Sequence, residues 1–366
     1  MATFDIMVLP GDGIGPEVTG ASQQVLDAVA MRWKHNFRYQ TDVVGGGAID
    51  AYGTPLRDET VKAARRSNAV LFGAVGGPKW DNEPVRPEAA ILGLRKALGL
   101  YANIRPVKVF PGMEGASPLK DDRVRGADMV ILRELTGGLY YATPKKRWET
   151  KTGRKGVDTL LYTEKEIERI LRVGFELARS RRKKLTSVDK ANVLQSSRLW
   201  RDIAIEVSKD YPDVELEHQL VDSCAMVLIT RPTSFDVMVM ENMFGDIISD
   251  EAAVLSASLG MLPSASLAGL PGNDAKGKPR KVKGLYEPSH GSAPDIAGQG
   301  KANPVGSILS SAFMLQYSFG LVEEAAAINA AVESALNDGH RTADLAPPGA
   351  EFSTTQHMTD MILERL

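Results

Sequence analysis

The chain has 366 residues, about two and a half times a typical domain of roughly 150, so two lobes are expected rather than one core. Its 44 Lys and Arg against 46 Asp and Glu leave a net charge of -2, without the basic excess of a nucleic-acid or anionic-membrane binder, so neither partner is expected. Cys224 is the single cysteine, which excludes an intramolecular disulfide, an iron-sulfur cluster and a multi-thiolate zinc site, and suits a reducing compartment.

From the start, Met1 to Pro10 enters an apolar stretch with no cationic leader or hydrophobic signal segment, so a cytoplasmic location is expected. Phe4 to Leu9 reads as a strand, Glu17 to Lys34 as a helix, Ala69 to Ala74 as a buried strand and Glu88 to Leu98 as a helix. That alternation predicts an α/β protein. Met129 to Leu132, Leu185 to Asp189, Glu215 to Val221 and Phe235 to Met240 read as further strands, with helices near Glu164 to Arg179, Leu199 to Lys209 and Ser223 to Thr230. The basic stretch Arg179 to Lys184 closes a predicted helix, where cations meet the dipole favourably, and needs no acidic partner molecule.

The uncharged runs Ala252 to Asn273 and Ala302 to Val322 reach membrane-spanning length, but Pro263, Gly269, Pro271, Pro304, Gln316 and several serines break them, so buried helices with turns are expected. Between them Gly272 to Gly284 is polar and rich in Gly and Lys, as exposed loops are. Ile308 to Gly320 and Leu321 to Asp338 read as helices, the second stopped by Gly339.

The candidate chemistry lies at strand ends. Gly11 to Glu17 (GDGIGPE) imitates a dinucleotide fingerprint, but the third glycine of GxGxxG falls on Pro16, so the fingerprint fails. With Gly73 to Pro78 (GAVGGP), including Gly76 and Gly77, it supplies flexible backbone that serves either a turn or a ligand cradle. Glu88, Ile91, Leu92 and Arg95 share one helical face, fit either for a mixed substrate or for a core contact with a rim salt bridge. If Arg105 and Arg133 converge with Arg95, the three would hold carboxylates by bidentate hydrogen bonds. Asp222 follows one strand, while Asp246 and Asp250 follow another at i, i+4, as hard oxygen ligands for Mg²⁺ or Mn²⁺, with helix capping the alternative for Asp246 and Asp222. Lys190 stands at a similar strand end, and a neighbouring cation would fit it for proton removal. In the loop Glu287 to Pro304, small residues let backbone amides approach phosphates, and Asp295 suits the ribose hydroxyls; packing alone is the plainer account of the loop and of His290.

Together GDGIGPE, LRKALGLYANIRP, RELTGGLYY, VDKANVL, FGDIISD and HGSAPDIAG, in order over nearly the whole chain, resemble the β-decarboxylating dehydrogenase family that contains isocitrate and 3-isopropylmalate dehydrogenases. The resemblance implies that family's two-domain α/β fold with a mixed sheet, not a Rossmann fold. Residues 1–100 and 259–366 would bind cofactor, and 101–258 would carry substrate, metal and dimer contact. It implies NAD-dependent oxidative decarboxylation of a malate-type acid. Arg95, Arg105 and Arg133 would bind carboxylates, and Asp222, Asp246 and Asp250 would hold Mg²⁺ or Mn²⁺. Lys190, assisted by Asp222, would be the base and Tyr140 the acid. Lys190 and Asp222 would serve the neighbouring subunit's substrate, making a homodimer with shared active sites.

By the same resemblance, Ile14, Gly76, Gly77, Glu287, His290, Gly291, Ser292, Ala293, Asp295, Ile296 and Asn303 would line the cofactor site. Asp295 stands where a 2′-phosphate would sit, which favours NAD over NADP. Glu88, Ile91 and Leu92, with Val193 from the partner, would face the substrate's variable group, and the aliphatic wall suits 3-isopropylmalate of leucine biosynthesis, since a charged carboxylate there loses its hydration. The rival readings are a relative acting on D-malate, tartrate or homoisocitrate, a silent regulatory subunit, and a Mg²⁺-dependent phosphate-ester hydrolase.

Overall fold

The computed structural model describes residues 2–270, 277, 278, 280–347 and 349–366. In chain order the elements begin β1 (Thr3–Gly11), α1 (Gly15–Trp33), β2 (Asn36–Thr41), α2 (Gly46–Tyr52), α3 (Asp58–Arg66), β3 (Ala69–Ala74), α4 (Ala89–Leu98) and β4 (Ala102–Lys108). There follow α5 (Asp121–Val124), β5 (Asp128–Glu134), β6 (Lys146–Thr150), β7 (Gly153–Val157), α6 (Glu164–Arg179), β8 (Lys184–Asp189), α7 (Gln195–Ser208), β9 (Glu215–Leu220) and α8 (Val221–Thr230). The last third holds β10 (Val237–Met240), α9 (Asn242–Ala253), β11 (Pro263–Leu267), β12 (Gly284–Pro288), α10 (Val305–Phe313), α11 (Val322–Asn337) and α12 (Thr355–Arg365). The α/β alternation of the sequence is present.

Ten strands form one sheet in the order β2-β1-β3-β12-β11-β4-β5-β10-β8-β9. It is mixed: β11 is antiparallel to both β12 and β4, and β4 is antiparallel to β5, while the outer pairs are parallel. Five consecutive strands (β2, β1, β3, β12, β11) come from residues before 101 or after 258, and the other five from between. The fold is therefore the mixed-sheet α/β arrangement expected, with no Rossmann order.

The two faces of this sheet differ. On one, Ile6, Leu71, Tyr286, Ala265, Ile104, Leu132 and Val239 belong to a single apolar core that runs across both halves. On the other, a cluster around Met7, Leu9, Val70, Phe72 and Leu285 is separate from one around Ile131, Met238, Met240 and Val188. Between them lies a buried polar row, Glu287, Ser264, Ser266, Asn103, Arg105 and Arg133, brought onto one face by the pairs Glu287↔Ser264, Ser266↔Asn103 and Asn103↔Arg133. Asn103 Nδ2 donates to the hydroxyls of Ser264 and Ser266 at 2.9 and 3.2 Å, so the row is satisfied internally, as buried polar groups must be.

Three expectations change. The run from Ala252 contains, within the described residues, the end of α9, two short 3-10 turns and then the strand β11, rather than helix alone. Its alternating Ser264 and Ser266 supply the polar row, which a helix could not pair. The helix expected over Ile308 to Gly320 begins three residues earlier and widens into a π-helical stretch, Met314–Phe319, before Gly320 closes it. The polar loop Gly272 to Gly284 falls partly on 272–276 and 279, outside the described residues, and its last residue already opens β12.

The basic stretch is neutralised locally: Arg179 meets Asp213, Arg181 meets Asp128 and Asp236, and Lys184 meets Glu217. Among the described residues no helix is long and apolar enough to cross a membrane.

Candidate active site

Two glycine turns and a distant loop meet at the ends of β1 and β3. A Cβ on Gly11 would fall 1.9 Å from the carbonyl oxygen of Ala74, and one on Gly13 1.9 Å from that of Ser292; both have positive φ, so only glycine fits. Asp12 between them ties three loops together: its oxygens accept the amides of Gly46 at 2.8 Å, Gly47 at 2.9 Å and Gly76 at 3.0 Å. Ile14 donates its amide to Ser292 at 2.8 Å and packs with Val18 and Ala302 against Ala293 and Ile296. Of the residues expected at the cofactor, Ile14, Gly76, Ser292, Ala293 and Ile296 are thus brought together, with Glu88 close by, since a Cβ on Gly76 would lie 3.0 Å from Glu88 Oε1. Gly77 follows Gly76 in the same turn, and Gly291 and Asp295 are exposed on the loop. His290 Nδ1 lies 2.8 Å from the Gly291 carbonyl; its buried Nε2 lacks a partner, and burial lowers its pKa. Asn303, just before α10, accepts the Val305 amide at 3.0 Å.

A second group sits on the polar row. Arg95 from α4 donates to Glu287 Oε1 at 2.8 Å, so Glu287 joins the cofactor loop to the arginine cluster. Arg105 is held by Asn103 and Ser249, each at 2.7 Å, and Arg133 by Asn242 Oδ1 at 2.8 and 3.0 Å. The three guanidiniums converge. Burial, reinforced by the charges of Arg133 and Arg95, pulls Arg105 down to about 10, and burial, with Arg95 adding to it, lowers Arg133. Each faces a resident carboxylate, Arg95 that of Glu287, Arg133 that of Asp246 and Arg105 that of Asp250 at 3.8 Å, and three such guanidiniums have the chemistry to take up a further anion.

Arg133 also pairs with Asp246, whose other oxygen accepts the Tyr140 hydroxyl at 2.8 Å. Burial and that hydrogen bond push Tyr140 up to about 12, so its phenol remains an acid. The local sequence explains the approach. A Cβ on Gly245 would strike the Arg133 side chain at 2.6 Å, so glycine in FGD lets the arginine lie on α9. In TGG, Gly137 and Gly138 pack on the Tyr162 ring, and Glu134 accepts the amides of Thr136 and Gly137 at 2.9 and 2.8 Å, which fixes the turn carrying Tyr140.

Asp250, one turn beyond Asp246, lies 3.8 Å from Arg105; burial and the charge of Asp246 raise its pKa despite that arginine. Glu241, not an aspartate, caps α9, and Asp222 is inside α8, so the alternative of helix caps for the aspartates is excluded. Asp246 and Asp250 form a hard oxygen pair suited to Mg²⁺ or Mn²⁺. Asp222 does not join them within one chain: no group of three metal-holding side chains occurs among the described residues. It pairs instead with Lys190, Nζ to Oδ1 2.8 Å, which draws its carboxyl below the usual range, on a surface where the Asp222 side chain is 65% exposed.

The expected aliphatic wall is divided. Ile91 is 9% exposed and packs in the core beside Leu94, whereas Leu92 is 36% and Val193 63% exposed. Sequence reasoning missed Asp12, Asn103, Asn242 and Glu134. Of these only Asp12 carried a signal, an acid enclosed by glycines after a strand.

Known proteins resemble this chain over nearly its whole length. The family described as isocitrate/isopropylmalate dehydrogenase matches residues 5–362. The chain is 58% identical over 362 residues to a 3-isopropylmalate dehydrogenase of Dehalococcoides mccartyi, covering 98% of each, and 57% identical to one of Geobacillus kaustophilus, covering 99% of this chain and 95% of that one. The crystal structure of isocitrate dehydrogenase from Methylococcus capsulatus superposes with a TM-score of 0.85 at 34% identity, covering 99% of both chains. This chain belongs to the isocitrate/isopropylmalate dehydrogenase family.

Proposed function

We propose that this protein catalyses the NAD-dependent oxidative decarboxylation of (2R,3S)-3-isopropylmalate to 4-methyl-2-oxopentanoate and CO₂, the activity named for its relatives and a step of leucine biosynthesis. The observation that carries this reading is the convergence of Arg95, Arg105 and Arg133 beside the Tyr140–Asp246 hydrogen bond. Three guanidiniums suit a malate-type diacid and its developing charge.

Asp246 and Asp250, with Asp222 of a second copy, have the donor chemistry to hold Mg²⁺ or Mn²⁺, and the exposed Gly291 and Asp295, on the loop that packs against the Gly11–Gly15 turn, offer the small and acidic groups that suit NAD. When bound, NAD would supply the hydride acceptor and the divalent cation a Lewis acid. Lys190, steadied by Asp222, takes the C2 hydroxyl proton. Tyr140 delivers a proton to C3 after CO₂ leaves, and Asp246 orients that phenol. Leu92, with Ile91 behind it and Val193 of the second copy, meets the isopropyl group. Asp295 receives the ribose hydroxyls, which favours NAD over NADP.

The working unit is a homodimer in which each copy lends Lys190 and Asp222 to the other. Met226 on α8 and Ile247 on α9 are 61% and 59% exposed, an apolar surface that a second copy would cover. The lobes are residues 1–100 with 259–366, binding cofactor, and 101–258, binding substrate, metal and partner; the setting is the cytoplasm. The test is NADH formation from 3-isopropylmalate with Mg²⁺ or Mn²⁺, before and after chelation. Turnover that vanishes with chelator and returns with either ion supports the reading; no turnover with both ions and NAD present ends it.

A further inference from the structure

Tyr141 follows the acid Tyr140 in sequence but points elsewhere. Its hydroxyl is buried and has no hydrogen-bond partner, and burial raises its pKa, so the phenol is a neutral donor; the charges of Arg95, Glu134 and Arg133 act on it. Arg95 is only 8% exposed, and while its Nη2 serves Glu287, its Nε–H is also buried and unpartnered. Each of these buried donors is a standing cost to the fold, which is ordinarily explained by a group that arrives later, and the charge of Arg95 reaches Tyr141.

The resident carboxylates are committed. Both oxygens of Glu134 are taken, by the Thr136 hydroxyl and Arg169 on one side and the Thr136 and Gly137 amides on the other, and Glu287 holds the far nitrogen of Arg95. Tyr140, by contrast, is already occupied by Asp246. The surroundings of Tyr141 are cationic on the Arg95 and Arg133 side, so the missing partner is an acceptor, and an anionic one. We infer that Tyr141 is a second substrate-binding phenol, whose O–H joins the Nε–H of Arg95 in taking one carboxylate of the bound acid. This rests on the proposed reading of the arginines as carboxylate ligands.

Tyr141→Phe keeps the ring and removes only the donor. Expected are increases of about tenfold in KM for 3-isopropylmalate and in the calorimetric Kd for D-malate, used with Mg²⁺ as a plain dicarboxylate probe, with kcat and the KM for NAD within about twofold of wild type. Unchanged KM and Kd overturn the inference and leave the hydroxyl to a buried water. A fall in kcat at constant KM also overturns it, since Tyr141 would then act by placing Tyr140. If wild type binds D-malate but does not oxidise 3-isopropylmalate, the functional proposal fails while the two Kd values still decide the role of Tyr141.

Discussion

Lys190 Nζ stands 2.8 Å from Asp222 Oδ1, and among the described residues no hydrogen bond links that pair to Tyr140, Asp246 or Arg133 of the same chain. The proposed base and the proposed acid therefore sit in separate groups. If the base serves a neighbour, Lys190→Met and Tyr140→Phe are each inactive alone, yet mixing and reassembling them restores about a quarter of wild-type turnover, because half of the dimers carry one intact site of two. A mixture that stays silent places both groups in one chain's site. Substrate binding with Mg²⁺ is expected to survive Lys190→Met.

Tyr140→Phe is expected to lower kcat by about 10²- to 10⁴-fold with little change in KM, as loss of a general acid does. Stability carries a second sign. Because the folded state raises the phenol from 10.0 to about 12, its contribution is complete below pH 10 and is lost as pH climbs toward 12. Denaturant titrations across that alkaline range should show a steeper loss for wild type than for Tyr140→Phe; parallel curves would deny the buried, Asp246-bonded setting of the phenol.

Glu287→Ala leaves Arg95 buried without its carboxylate, and removing one partner of such a pair costs about 3–5 kcal/mol. Urea denaturation should register that loss, with Glu287→Gln intermediate because the amide oxygen still accepts. A change below about 1 kcal/mol for the alanine variant would mean that solvent reaches the pair.

Asp295 is exposed, so Asp295→Lys has no folding role to disturb. The substitution should move the ratio of kcat/KM for NADP to that for NAD upward by at least about tenfold, as a cation replaces an anion beside the ribose. An unmoved ratio would place the ribose elsewhere.

Leu92 carries the specificity test, because it is the more exposed of the two aliphatics. Leu92→Ser should lower kcat/KM for 3-isopropylmalate relative to D-malate by about tenfold, the worth of one or two buried CH₂ groups. Equal losses on both acids would assign Leu92 to packing.

Much of this was legible before folding. The strands Ala69–Ala74 and Leu185–Asp189 and the helix Glu164–Arg179 announced themselves by apolar runs and periodicity, and Gly339 by its stop. What remained hidden depends on register between distant segments. Arg133 faces Asn103 only because β4 and β5 pair antiparallel at that alignment, and β11 and β12 enter between β3 and β4 from far along the chain. The hairpin of β6 and β7 was silent for a different reason: Lys-Arg-Trp-Glu-Thr lacks alternation, since both strands lie almost wholly in solvent. Spacing alone could name the aspartates only singly; their division between copies came from the resemblance, because it is decided by α8 and α9 in space.

The interrupted hydrocarbon on one side of the sheet has a thermodynamic consequence. Along that crease, from Glu287 to Arg133, a rotation of one half against the other would re-partner dipoles and wet little oil, with the unbroken side as its flexure. Ligand-driven closure should therefore leave heat capacity nearly unchanged, unlike a hinge that zips two greasy surfaces together.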